Sequence, residues 1–570
     1  MESARVFQNL RSNLTLGEWV AGAIRLKLQN KSQVGVEWMG VQTELEGDRI
    51  ERFRELQSQL RDRWQSIDEF DRGDNDILVV PSLSLDRREL LKIHGVHHYE
   101  ERNLYSLIRL RNPRTRLIYV TSQPLHPTIV EYYLQLLPGI PFSHARDRLL
   151  LFSTYDASPK PLTEKILERP RLIERIRQVL RRDKSYMICF NSTASERDLS
   201  VQLDIPLLAL NPELLEWGTK SGSRQIFGEC NIPHPPGSLS LWTVQELAVA
   251  TADLLAKEPN LKRIAIKLNE GFSGKGNAIL EAQSLYEIAP EKRVGTICDR
   301  FETMNFQAEG ETWTNFSSRI PELGAIVEAY IEGENKRSPS VQGRILPNGE
   351  VEILSTHDQI LGGSDQQIFL GCQFPADEGY RLQAQELGMR VGRNLAAKGA
   401  LERFSVDFLA IPRQESNHTV WDLYAIEINL RKGGTTHPFM ELKLLTNGRY
   451  NLSTGLFYSQ TGRPKYYFAT DNLQKDRYRG LLPNDLMDII AYHQLHFDSC
   501  TETGTLFHLM GCLSEFGKLG LTSIGNSPEQ AEAIYNQVVK ILNKETGGSG
   551  SDDKGMSAIT PAIASSGNLH

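Results

Sequence analysis

Five short apolar runs, set apart by segments of helical pattern, constrain the first part of this chain more than any other feature. They are Ile77–Pro81 (ILVVP), Arg116–Val120 (RLIYV), Leu149–Phe152 (LLLF), Ser185–Phe190 (SYMICF) and Ile205–Leu210 (IPLLAL). Runs this short, apolar on both faces and bounded by polar or proline-containing segments, read as buried strands rather than as pieces of helix. Helical patterns around 86–110 and 126–137 fall between them. Strand alternating with helix requires crossover connections, so the expected product is a parallel, Rossmann-like sheet over residues 76–207. Ahead of it, Asp48–Trp64 places Phe53, Leu56, Leu60 and Trp64 on one side of a charged helix. Residues 1–75 otherwise carry no readable role.

The character changes after Leu208. Asn211–Pro212 leads into Gly218-Thr219-Lys220-Ser221-Gly222-Ser223-Arg224, and Val244–Leu255 has a helical pattern. A strand, Ile264-Ala265-Ile266-Lys267, then runs straight into Glu270-Gly271-Phe272-Ser273-Gly274-Lys275-Gly276. Glycines let backbone N–H groups approach an anion closely, and a lysine ending the strand adds a full positive charge beside them. The turn is not a Walker A loop, because Gly271-x4-Gly276 is followed by Asn277-Ala278. It also lacks the third glycine of a dinucleotide-binding turn. By itself it fits a plain hairpin turn as well as a phosphate cradle.

Further strands are expected at Ile326–Ile331, at Val341–Ile345 and Val351–Ser355 around a Pro-Asn-Gly hairpin turn, at Phe404–Ala410 and at Leu423–Leu430. A helix is expected near 380–399. Residues two apart on a strand share a face, so Glu427 and Asn429 project together, with Ile426 and Ile428 toward the core. Asp407 lies between Val406 and Phe408 in the same way. If these two strands pair, three oxygen donors converge, a set that suits Mg²⁺ sharing its remaining positions with nucleotide phosphates. The same residues also fit a solvated sheet face. Lys220 likewise fits a solvated loop lysine, and His437, before a proline, a loop histidine or a substrate contact. His94, His97 and His98 lack a second ligand group to complete a metal site, and His493 and His496 read as structural.

Composition limits the alternatives. The chain has 570 residues, 40% hydrophobic and 24% charged, which suggests roughly three or four domains of ordinary globular character. A net charge of −7 and a pI near 6.1 argue against a general nucleic-acid binder. No apolar run reaches a membrane-spanning length, no secretory leader is evident, and six scattered cysteines fit reduced thiols in the cytoplasm.

The conjunction of glycine turn, lysines and late carboxylates resembles the ATP-grasp superfamily, and within it the pheganomycin-type peptide ligases. The motifs are Lys220, Lys267–Asn277, Glu328-Ala329-Tyr330-Ile331, Asp407, and Glu427-Ile428-Asn429 extending through Arg431-Lys432-Gly433-Gly434-Thr435-Thr436-His437-Pro438. The segment Tyr99-Glu100-Glu101-Arg102 also resembles a recurring motif of that subgroup, without an evident chemical role. The resemblance implies an α/β protein: a Rossmann-like domain (76–207), an ATP-grasp fold of two α+β subdomains (208–450), a C-terminal extension (451–544) and a disordered tail (545–570). It implies that Lys220 and Lys267 contact phosphates, with Gly271, Ser273, Gly274 and Gly276 closing over them. Glu328 and the backbone of Ala329 and Ile331 would hold adenine, and Glu334 the ribose. Asp407, Glu427 and Asn429 would hold Mg²⁺, and Arg431, with Lys267, would stabilise charge during reaction.

The function so implied is an ATP-dependent carboxylate–amine ligase, working through an acyl-phosphate and releasing ADP and phosphate. Its cofactors would be ATP and Mg²⁺, and its partners a small carboxylic acid and an amine such as an amino acid or peptide, with no nucleic acid and no membrane. Two rivals are an ATP-grasp kinase that forms no amide and a nucleotide-binding regulatory or scaffold protein. The acid, the amine and the oligomeric state are not legible in the sequence.

Overall fold

The computed structural model describes residues 46–65, 67, 73–137, 139–270, 276–308, 310–362, 368–416 and 418–547. The expected disordered tail beyond 547 and the glycine-turn residues 271–275 lie outside them. A helix over 46–65 buries Phe53, Leu56 and Leu60, as its apolar spacing requires. It is tied to the next unit by Gln57, whose side-chain oxygen accepts from the Leu207 N–H at 3.0 Å.

Strands β1 (Asp76–Val80), β2 (Arg116–Thr121), β3 (Leu149–Ser153) and β4 (Ser185–Cys189) form a sheet in the order β3-β2-β1-β4, parallel throughout. β1 and β4 are buried along their whole length, which explains why their sequences show no polar alternation. The fifth apolar run is not a strand. After Pro206, which has no N–H for a ladder, Leu207 makes one parallel bridge to Met187, and the chain then enters the 3₁₀ turn at Pro212–Gly218.

The second unit is a four-stranded antiparallel sheet of β5 (Arg263–Leu268), β6 (Asn277–Glu281), β7 (Asn305–Phe306) and β8 (Ala325–Ala329), in the order β7-β6-β5-β8. Helix Val244–Lys257 packs on it, opened by a reciprocal capping box between Thr243 and Glu246. Helix Trp313–Leu323 covers another part of the same core.

The third unit is a ten-stranded antiparallel sheet. It contains β9 (Pro339–Ile345), β10 (Val351–Gly362), β11 (Ile368–Phe374), β12 (Glu402–Glu415) and β13 (His418–Asn429). It continues through β14 (Arg449–Asn451), β15 (Leu456–Tyr458), β16 (Pro464–Gln474), β17 (Gly504–His508) and β18 (Lys518–Gly525). The Pro-Asn-Gly turn closes β9 on β10 with Gly349 at φ +87°, a left-handed conformation that glycine adopts without strain. β16 pairs with both β11 and β18, so one hydrogen-bonded sheet runs on past residue 450 into the C-terminal region. Helix Arg381–Ala397 covers β9, β10 and β12, and helix Pro528–Glu545 covers β16 and β18.

Candidate active site

Helix Lys220–Glu229 organises the site, because it is fastened to strands of two different sheets. Its N-cap Thr219 accepts from the Gly222 N–H, and the Asn269 side chain just after β5 accepts from the Ser221 N–H at 2.8 Å. On the other side the Ser223 hydroxyl accepts from the Ile428 N–H of β13 at 2.9 Å. Gly222 is needed where the helix begins: a Cβ there would stand 2.0 Å from the carbonyl oxygen of Glu216. Lys220 is therefore the first residue of a clamped helix, only 6% exposed, and not a solvated loop lysine.

Lys220 Nζ lies 3.4 Å from Glu427 Oε1. One turn along the same face, Arg224 reaches Glu328 Oε2 at 3.4 Å and donates to the Pro235 carbonyl at 2.8 Å. Glu328 also pairs with Lys267, its diagonal neighbour between the antiparallel strands β5 and β8. Lys267 and Glu328 are both buried, so each charge is neutralised at close range. Arg224 escaped the sequence reading, although its i, i+4 relation to Lys220 is the signal that would have found it.

β12 and β13 pair as expected, and Asp407 stands directly opposite Glu427, with Ser405 opposite Asn429. A bulge follows, so that Phe408 pairs with Ala425 and Ile426 is the extra residue. The bulge switches which alternate residues face inward. Leu423, Ala425 and Ile428 are buried, whereas Ile426 is only partly so, correcting the simple alternation expected for this strand. Asn429 bridges the group: its amide nitrogen donates to Asp407 at 3.1 Å, and its oxygen accepts from Arg431 at 2.8 Å. Gln359, from β10, donates to the other Asp407 oxygen at 2.9 Å. Burial pushes the Asp407 carboxyl up to about 6, and the neighbouring Glu427 charge adds to the rise. Two carboxylates and an amide oxygen match the hard-oxygen donor set of Mg²⁺.

Arg431 and Lys432 leave β13 across the C-terminal end of the parallel sheet. Lys432 donates to the Cys189 carbonyl, and its backbone N–H meets the Phe190 carbonyl at 3.1 Å. The end of β13 is thus tied to the edge where parallel sheets of this kind present ligands.

The remaining expected residues divide. Gly276 is buried and accepts from the Leu268 N–H at 2.9 Å, closing the β5–β6 hairpin, while Gly271, Ser273 and Gly274 lie outside the described residues. Ala329 is buried with its N–H committed to the Pro236 carbonyl, and the Ile331 carbonyl accepts from Lys336 at 3.2 Å. Glu334 is exposed.

The chain is similar to several known proteins. Residues 212–294 and 291–453 match the family described as IQCH-like, ATP-grasp, and residues 485–538 match the PGM1 C-terminal domain. An L-propargylglycine–L-glutamate ligase of Streptantibioticus cattleyicolor is 28% identical over 482 residues, 83% of this chain and 94% of the relative. IQ motif-containing protein H of Danio rerio is 22% identical over 77% of this chain, which spans only 45% of that protein. Among solved structures, biotin carboxylase of Campylobacter jejuni is similar with a TM-score of 0.48 at 14% identity, covering 80% of this chain and 89% of that one. Residues 212–453 thus match an ATP-grasp family model, and most of the chain is similar to a relative named as a ligase.

Proposed function

We propose that this protein is an ATP-dependent carboxylate–amine ligase that joins an amino acid or short peptide to an amine by way of an acyl-phosphate. The observation that carries the reading is the meeting of Asp407, Glu427 and Asn429 with Arg431 and Lys220 at one end of β12 and β13. A binding-only module has no need of that full set. The relative named for joining L-propargylglycine to L-glutamate supports amino acids as the substrate class.

In this reading Asp407, Glu427 and Asn429 hold Mg²⁺, which when bound offsets phosphate charge and orients the γ-phosphate. Lys220 and Lys267, each now held by a carboxylate, exchange those partners for phosphate oxygens. A substrate carboxylate oxygen attacks the γ-phosphorus and ADP leaves. The amine nitrogen then attacks the acyl carbon, phosphate leaves with the C–O bond electrons, and the nitrogen loses a proton. Arg431, anchored by Asn429, faces the oxygen that becomes negative in the second step.

A screen of amino acids and short peptides, reading ADP and phosphate with mass spectrometry of products, tests the proposal. Hydroxylamine is expected to trap a hydroxamate of the acid. AMP and pyrophosphate in place of ADP and phosphate would overturn the acyl-phosphate route.

A further inference from the structure

A second polar cluster lies wholly inside the protein, apart from the nucleotide residues. His437 is not in a loop: it belongs to the first turn of helix Thr436–Thr446 and is 3% exposed. Its Nε2 is 3.1 Å from Asp471 Oδ1 of β16 and 3.1 Å from Nε2 of His508 at the end of β17. His508 Nε2 is itself 2.8 Å from the same Asp471 oxygen. Three ligand atoms from three elements therefore form a triangle with sides of 3.1, 3.1 and 2.8 Å. Hydrogen bonds serve such a triangle poorly. If both imidazoles donate to the shared oxygen, two N–H groups are crowded together. If one donates to the other, a lone pair opposes the carboxylate. A single cation at a usual distance of about 2.0–2.2 Å from all three atoms would lie about 1 Å above their plane, with its other side open.

The surroundings are built for those groups. Gly520 pairs with His508 across β17 and β18, and a Cβ at 520 would stand 2.2 Å from His508 Nε2, so only glycine leaves room for the ring. Glu441, one helical turn from His437, is fully buried, and neither carboxylate oxygen has a hydrogen-bond partner. Thr522 lies beside it without meeting hydrogen-bond geometry, and His508 and Asp471 are its nearby ionisable groups. A buried carboxylate without a donor is costly, and a neighbouring cation removes that cost. Asp471 keeps its second oxygen for Arg102, 3.0 Å away, whose guanidinium lies between the rings of Tyr99 and Phe190.

We infer that His437, Asp471 and His508 form a site for one divalent transition-metal ion of the zinc type, with Glu441 as its compensating anion. The ion would pin helix Thr436–Thr446, which begins five residues after Arg431, to the C-terminal strands β16 and β17. Through Arg102 it would also reach the Rossmann-like unit. Such an ion is structural, holding helix Thr436–Thr446, the C-terminal strands and, through Arg102, the Rossmann-like unit in register.

The test uses the full chain, stripped with chelator and titrated with Co²⁺, then Zn²⁺, without nucleotide. One ion per chain is expected to survive desalting, with a tetrahedral Co²⁺ absorption that lacks thiolate charge transfer. X-ray absorption of the Zn²⁺ form should show two imidazoles and oxygen. Asp407→Asn with Glu427→Gln should retain the ion. His437→Gln or His508→Gln should weaken binding by at least about a hundredfold, since even a supporting neighbour of a metal ligand is worth 10–100-fold. No retained ion in the unaltered protein, an all-oxygen or sulfur-containing shell, or loss of the ion on changing Asp407 and Glu427 would each overturn the inference. None of those three outcomes depends on whether the histidine variants fold.

Discussion

At the scale of single residues, the carboxylates divide by what faces them. Glu427 lies opposite Asp407 and beside Lys220. In Glu427→Gln the amide oxygen can still accept from Lys220, and Asp407 is relieved of a like charge. Stability without nucleotide should therefore change by no more than about 1 kcal/mol. Turnover should fall about a hundredfold or more, and the thermal stabilisation by MgATP, about 2.7 kcal/mol at a hundred times Kd in the unaltered protein, should largely vanish. Thermal melts with and without MgATP check both halves, and a variant that keeps the full shift would place the metal elsewhere. Glu100 gives a pH-dependent counterpart. It is buried and accepts from the Ser122 N–H and hydroxyl, yet burial holds its carboxyl up to about 7. An unfolded glutamate releases its proton near 4.3, so between those values the folded state binds the extra proton. The contribution is therefore complete below the unfolded value and is lost as pH rises through about 7. Against Glu100→Gln, unaltered protein should lose about 1.4 kcal/mol per pH unit between roughly pH 4.5 and 7, read by urea denaturation across that range. A pH-independent difference between the two proteins would show that Glu100 is ionised throughout.

At the scale of elements, helix Lys220–Glu229 joins β5 to β13, and its two interior glycines have opposite roles. A Cβ at Gly222 would collide with the Glu216 carbonyl, whereas a Cβ at Gly228 would meet nothing within 4 Å. Gly228→Ala should stabilise by about 0.5–1 kcal/mol, the usual helical difference between the two residues. Gly222→Ala should cost about 2–3 kcal/mol, because the rigid partner is backbone. It should also weaken ATP binding by displacing Lys220. Denaturation midpoints and nucleotide titrations of the pair check this, and equal effects at both positions would contradict the clamp.

At the scale of the whole molecule, the Rossmann-like unit and the second sheet are joined by charge. Arg319, 3% exposed, is 2.8 Å from Glu89 and also pairs with Glu311, and Arg88 reaches Glu322 at 2.5 Å. Removing Arg319 leaves Glu89 and Glu311 with Lys92, 3.0 and 3.4 Å away, as a shared cation, so Arg319→Met should destabilise by less than the ~3–5 kcal/mol of a lone buried pair. Adding Glu89→Gln should recover part of the loss, giving a coupling of at least about 1 kcal/mol in a double-mutant cycle. Additive effects would mean that the two units are not coupled through this pair.

What the sequence determined by itself was the local chemistry. Short apolar runs specified β1 to β4, the Pro-Asn-Gly turn specified the β9–β10 hairpin, and two-residue spacing put Glu427 and Asn429 on one face. These features depend on neighbours a few residues apart, whose steric and hydration preferences are carried in the sequence. The tertiary structure decided what depends on distant approach. It set Asp407 opposite Glu427, brought Lys220 to them across 207 positions, and displaced Ile426 through a bulge that no alternation pattern records. It also gathered His437, Asp471, His508 and Arg102 from four segments, none of which carries a metal-binding spacing of its own. Charge pairing and desolvation act through space, so their partners are chosen only when the sheets close on one another.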